Sequence, residues 1–162
     1  MVLRGAIVED FVNYKLPSMF LIFPICATFK CGRGICQNAS LADNPQLLVV
    51  TAQEVCEQFV SNGITKAIVC GGLEPFDSVD DLKELISTLR NEFHCQNDVV
   101  IYTGYTEEEV LADERKKEIL EFSNIVVKYG RYVPNETPHK DEVLGVNLAS
   151  SNQYAKRYNY EN

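Results

Sequence analysis

Cys26, Cys31 and Cys36 recur at every fifth position within Pro24-Ile-Cys-Ala-Thr-Phe-Lys-Cys-Gly-Arg-Gly-Ile-Cys-Gln37. Thiolates are soft ligands that suit zinc or iron–sulfur clusters. Gly32 and Gly34 let this loop curl tightly enough to turn three sulfurs inward. Structural zinc usually takes four protein ligands. No fourth cysteine or histidine lies in the stretch. Three thiolates suit a four-iron cluster that keeps one iron open to a substrate or cofactor. The spacing alone also admits zinc, a redox disulfide, or cysteines serving as small apolar fillers.

The chain has 162 residues, enough for one domain around one core. Its net charge of −8 and pI near 4.8 argue against nucleic acid, whose binding calls for a basic face. Arg4, Glu9 and Asp10 interrupt the apolar residues near the start, so no signal peptide is expected. The best apolar run, Met19 to Ile25, is far short of a membrane span. These readings predict a reduced, cytoplasmic protein with no membrane contact, a setting where clustered cysteines bind metal or do chemistry. Cys56, Cys70 and Cys95 sit singly in apolar patterns and read as buried filler. His94 and His139 lie outside every motif and read as surface or packing residues.

The elements that must position the cysteines follow from periodicity. Val2 to Val8 reads as a first strand, and Met19 to Phe23 as a strand buried on both faces, feeding the cysteine loop. Residues 37–45 read as loop, and Leu47 to Val50 as a short apolar step. Thr51-Ala-Gln-Glu54 is a capping box, so a helix starts there with Val55, Phe59 and Val60 on one face. Lys66 to Cys70 is a strand running into Gly71-Gly72-Leu73-Glu74-Pro75. Asp77 or Ser78 caps a second helix whose stripe is Val79, Leu82, Leu85, Ile86 and Leu89. A strand over Asp98 to Thr103 ends at Gly104-Tyr105, and Thr106 to Glu109 is a second capping box. A charged helix over Asp113 to Phe122 precedes a strand at Ile125 to Lys128. Beyond Gly130 the periodicity fades into a polar tail. Strand–helix–strand alternation implies parallel pairing, and the loops after parallel strands gather at one end. The expected fold is a single α/β domain, an incomplete, mostly parallel β/α barrel over residues 1–162, with the cluster loop at 24–37 and a tail from about 130.

This conjunction resembles the radical S-adenosylmethionine superfamily, and within it the small activating proteins of anaerobic (class III) ribonucleotide reductase. The strand and cysteine loop, Gly71-Gly72-Leu73-Glu74-Pro75, Ile101-Tyr102-Thr103-Gly104-Tyr105, and Gly130-Arg131-Tyr132 with Ser151-Asn152-Gln153 carry the resemblance. The resemblance implies that Cys26, Cys31 and Cys36 hold a [4Fe–4S] cluster. It implies that Gly71, Gly72, Glu74, Thr103 and Asn152 bind S-adenosylmethionine. The reduced cluster would split that cofactor into methionine and a 5′-deoxyadenosyl radical, which takes a hydrogen from a partner. The partner would be a glycyl radical enzyme, and an electron donor would serve the cluster. The cofactors carry the chemistry, so no protein acid or base is assigned. The chain departs from the family in four places, one of them Lys128 in the strand before Gly130, where the family tends to have an acidic residue nearby. Its cysteines are separated by four residues and four, not three and two. Ile35 replaces the usual aromatic, and Leu73 is inserted in the glycine motif. Phe29 and Arg33 have no assigned role. The alternative functions are a non-catalytic module holding zinc or a structural cluster, and a divergent radical enzyme with another substrate.

Overall fold

The computed structural model describes residues 1–27 and 31–160. The chain opens with β1 (Val2–Leu3), β2 (Gly5–Asp10) and β3 (Ser18–Phe23). After the cysteine loop come α1 (Ala39–Asp43), β4 (Leu48–Val49), α2 (Ala52–Ser61) and β5 (Ala67–Gly72). Then follow α3 (Val79–Asn91), β6 (Asp98–Tyr102), α4 (Glu107–Leu111), α5 (Glu114–Lys117) and β7 (Ile125–Tyr129). The last elements are β8 (His139–Asp141), β9 (Val146–Leu148) and β10 (Tyr154–Tyr158). The first expected strand is therefore two: β1 pairs with β4, and β2 pairs with β3.

The main sheet has the order β10-β7-β6-β5-β3-β2. β3, β5, β6 and β7 run parallel, with antiparallel β2 and β10 at its edges. The fold is thus mixed α/β around a mostly parallel sheet, which among the described residues is open at both edges and closes no barrel. Alternating side chains feed two cores, which is why the central strands read as continuous apolar runs. Met19, Leu21, Phe23, Ile68, Val99, Ile101, Ile125 and Val127 pack with the helices. Ala67, Val69, Val100 and Val126 pack on the other face under Tyr14, Leu144 and Leu148.

Both capping boxes form, at Thr51–Glu54 and Thr106–Glu109, each contributing about 1 kcal/mol. Leu82, Leu85, Ile86 and Leu89 of α3 are fully buried, each contributing roughly 1.5–3 kcal/mol. Ser78 occupies the N-cap of α3 without a side-chain bond. Cys56 and Cys70 lie in the helix-side core and Cys95 packs against it, as filler. Three local readings are corrected. Val60 is exposed, because Ala52, Val55, Cys56 and Phe59 form the buried stripe of α2 and Val60 falls beyond its edge. The charged helix starts where expected, with the Asp113 carboxylate accepting from the Arg115 and Lys116 backbone amides, but it is α-helical only over Glu114–Lys117 and tightens to a 3-10 turn over Glu118–Glu121. The tail holds a strand, β10, which binds β7 as a largely polar edge and so lacks the apolar alternation that marks an inner strand. Among the described residues, no helix is long and apolar enough to cross a membrane.

Candidate metal centre

The C-terminal ends of β3, β5, β6 and β7 lie side by side, so the segments leaving them meet at one edge of the sheet. A cavity of about 480 Å³ opens there. Cys26, Cys31 and Cys36 all line it, together with Gly72, Glu74 and Thr103. Phe29 lies outside the described residues. Arg33 is exposed on the outside of the loop and pairs with Asp43.

Backbone bonds fasten the cysteine loop to the turn after β5. Glu74 N donates to the Ile25 carbonyl at 2.7 Å, and Ala27 N to the Asp77 carboxylate at 2.7 Å. The Asn38 amide donates to the Gly72 carbonyl at 2.9 Å. Arg4 fastens the start of the loop to the helix that follows it. Its Nε donates to the Pro24 carbonyl at 3.0 Å, and its other nitrogens to the carbonyls of Ala42, at 3.3 Å, and Asn44. Within the loop the Gly32 carbonyl accepts from both Ile35 N and Cys36 N, closing a turn that brings Cys31 towards Cys36. Burial, and then the bond to Cys36, push the Cys31 thiol up to about 11. Metal must displace that proton.

Glu74 joins two strand ends. Its Oε1 accepts from Phe76 N at 3.1 Å and the Thr103 hydroxyl at 2.8 Å, and its Oε2 accepts from Gly104 N at 2.8 Å. Burial raises its carboxyl to about 7, against the opposing pull of those three bonds. The Thr103 hydroxyl in turn accepts from Tyr105 N at 3.0 Å, so it is engaged on both sides within the protein. The Tyr105 hydroxyl donates to Asp77 at 2.6 Å, tying the Thr-Gly-Tyr turn to the residue that holds the cysteine loop.

The two glycines after Cys70 are required by packing. A Cβ on Gly71 would stand 2.8 Å from Phe20 Cζ. Gly72 has φ +88°, and a Cβ there would stand 2.6 Å from Ile22 Cγ2. Only Gly72 of the pair lines the cavity. Asn152 is exposed and off the cavity wall, its side chain donating to the Arg131 carbonyl at 2.9 Å. Its neighbour Gln153 is buried on that wall and donates to the Gly130 carbonyl at 3.2 Å. Periodicity in a polar tail gave no sign of which of the two faces inward. Lys128 also lines the wall and is buried, and burial pushes its ammonium down to about 8. A lysine inside the otherwise apolar strand Ile125 to Tyr129 was the available signal for that residue.

Residues 21–155 match the family described as the 4Fe-4S single cluster domain. The chain belongs to that family. No curated protein matches it. The matched span covers all three cysteines, the glycine turn and the strand ends around the cavity, so a 4Fe–4S cluster is the metal centre indicated. The residues present fit this family's cluster. None of the six cysteines is in a disulfide, and three of them share one cavity wall. Among the described residues, no group of three or more His, Cys, Asp or Glu side chains is gathered closely enough to hold a single metal ion. Zinc draws its thiolates to about 2.3 Å from one centre.

Proposed function

We propose that this protein is a radical S-adenosylmethionine enzyme, a shortened and open form of the partial β/α barrel, which makes a radical on a partner protein. Cys26, Cys31 and Cys36 would hold the [4Fe–4S] cluster, which supplies the electron that splits S-adenosylmethionine to methionine and a 5′-deoxyadenosyl radical. The observation that carries this reading is the placement of the three cysteines on one cavity wall with Gly72 and Glu74. Glu74 has two oxygens and three bonds from the protein, so one acceptor site on Oε2 stays open for the cofactor's ammonium. The Gly72 carbonyl accepts from Asn38 at the cavity wall, beside the position the cofactor would take. Thr103 acts through Glu74, fixing its carboxylate, and Gln153 takes the inward position beside Asn152. Ile25 and Ile35, next to Cys26 and Cys36 in the chain, are exposed, apolar surface that suits a protein partner more than a small substrate. A glycyl radical enzyme is the partner class, and a low-potential one-electron protein is the donor.

Anaerobic reconstitution tests the reading. Four irons and four sulfides per chain are expected, with methionine and 5′-deoxyadenosine released on adding S-adenosylmethionine and dithionite. A full cluster without 5′-deoxyadenosine reduces the protein to a structural iron–sulfur module. Zinc in place of iron removes the cluster as well.

A further inference from the structure

β7 alternates across the sheet. Ile125, Val127 and Tyr129 enter the helix-side core, and Val126 enters the other. Lys128 shares the face of Val126, one step nearer the strand's end, where the apolar layer gives way to the cavity. It is 7% exposed. Its Nζ donates to the Gly130 carbonyl at 2.8 Å and stands 6.0 Å from the centre of the Tyr102 ring. An ammonium has three donors, and a buried cation is costly unless opposite charge compensates it. Among the described residues, no carboxylate is in ion-pair contact with Lys128. Glu74, 5% exposed on the same wall, spends its bonds on Phe76, Thr103 and Gly104 and reaches Lys128 only through space. The other basic residue on the wall, Arg131, is bonded to Glu109. Beyond Glu74, the charge to compensate Lys128 must come from what the cavity holds, and Cys26, Cys31 and Cys36 share its wall.

We propose that Lys128 is the counter-ion of the iron–sulfur centre and raises its reduction potential, an inference that rests on the cluster reading above. Three thiolates bring negative charge to the cavity, and reduction adds one electron and no proton, supplied by a low-potential one-electron reductant. A cation fixed on the same wall favours the more negative state. Buried and close to the Tyr102 ring, it is poorly screened by water or salt. Burial and neighbouring charge are established levers on such potentials.

The test is a redox titration of the reconstituted full chain at one pH, followed by the paramagnetic resonance of the reduced cluster. Wild type is compared with Lys128→Arg, Lys128→Met and Lys128→Gln. The two neutral variants are expected to be harder to reduce by at least tenfold, which is 59 mV for one electron. Lys128→Arg is expected to stay near wild type. Neutral variants with full iron content that titrate with wild type overturn the proposal and leave the cluster reading intact. If both neutral variants fail to take up iron while Lys128→Arg succeeds, Lys128 serves assembly and the tuning role is overturned. A wild type that takes up no cluster overturns the reading and the inference together.

Discussion

Gly72→Ala tests the reasoning about the glycine bend most directly. The new methyl meets two separate costs. Holding alanine at φ +88° costs about 1–2 kcal/mol. The methyl would also stand 2.6 Å from Ile22 Cγ2 and 3.1 Å from Ile22 Cα, so the ends of β3 and β5 must part. Overpacking of that kind costs about 1–3 kcal/mol. The sum, about 2–5 kcal/mol, is a large share of the 5–15 kcal/mol typical of a domain. β3 runs directly into the cysteine loop, and the Gly72 carbonyl accepts from Asn38 of that loop, so the same shift should lower iron uptake. Gly104→Ala is the control at the same cavity. Its backbone is not left-handed, and its methyl would come no nearer than 3.6 Å, from Glu74 Oε2. Urea unfolding of the metal-free variants measures both. A loss below about 1 kcal/mol for Gly72→Ala, or an equal loss for Gly104→Ala, would refute the account.

Arg4→Met removes the clasp between the start of the cysteine loop and α1 after it. It should release iron to a chelator at least tenfold faster, with Arg4→Lys intermediate; equal release rates would show the clasp to be idle. Cys56→Ala and Cys70→Ala should cost about 1–3 kcal/mol through small cavities and leave iron content unchanged, whereas Cys31→Ala should lose iron. Glu74 should make the metal-free protein less stable as pH rises. Its folded carboxyl lies at about 7, above the usual 4.5, so its stabilising contribution is complete below about 4.5 and is lost as pH passes 7. That is about 3 kcal/mol in all, of which about 2 kcal/mol falls between pH 5 and 7, read as a shallower decline there for Glu74→Gln. Lys128 adds no slope in that window, since its contribution changes only above about 8. Parallel profiles for wild type and Glu74→Gln would contradict the burial of this carboxyl.

The sequence by itself determined the features that arise within a few residues. Thr51–Glu54 and Thr106–Glu109 cap helices because each box closes on its own backbone. The apolar runs of β3, β5, β6 and β7 marked strands covered on both faces, and so a mostly parallel sheet whose loops share one end. That was enough to place Cys26, Cys31 and Cys36 beside the glycine bend. Only the tertiary structure decided what surrounds them. Arg4 reaches the loop from the bend between β1 and β2, Thr103 turns to Glu74, and Gln153 faces inward while Asn152 faces out. Lys128 is set in the wall by the register of β7 against β6. The reason is physical. A cap or an alternation is a property of neighbours in the chain. The partner of a polar side chain is chosen by strand order and register, which bring together residues far apart in sequence.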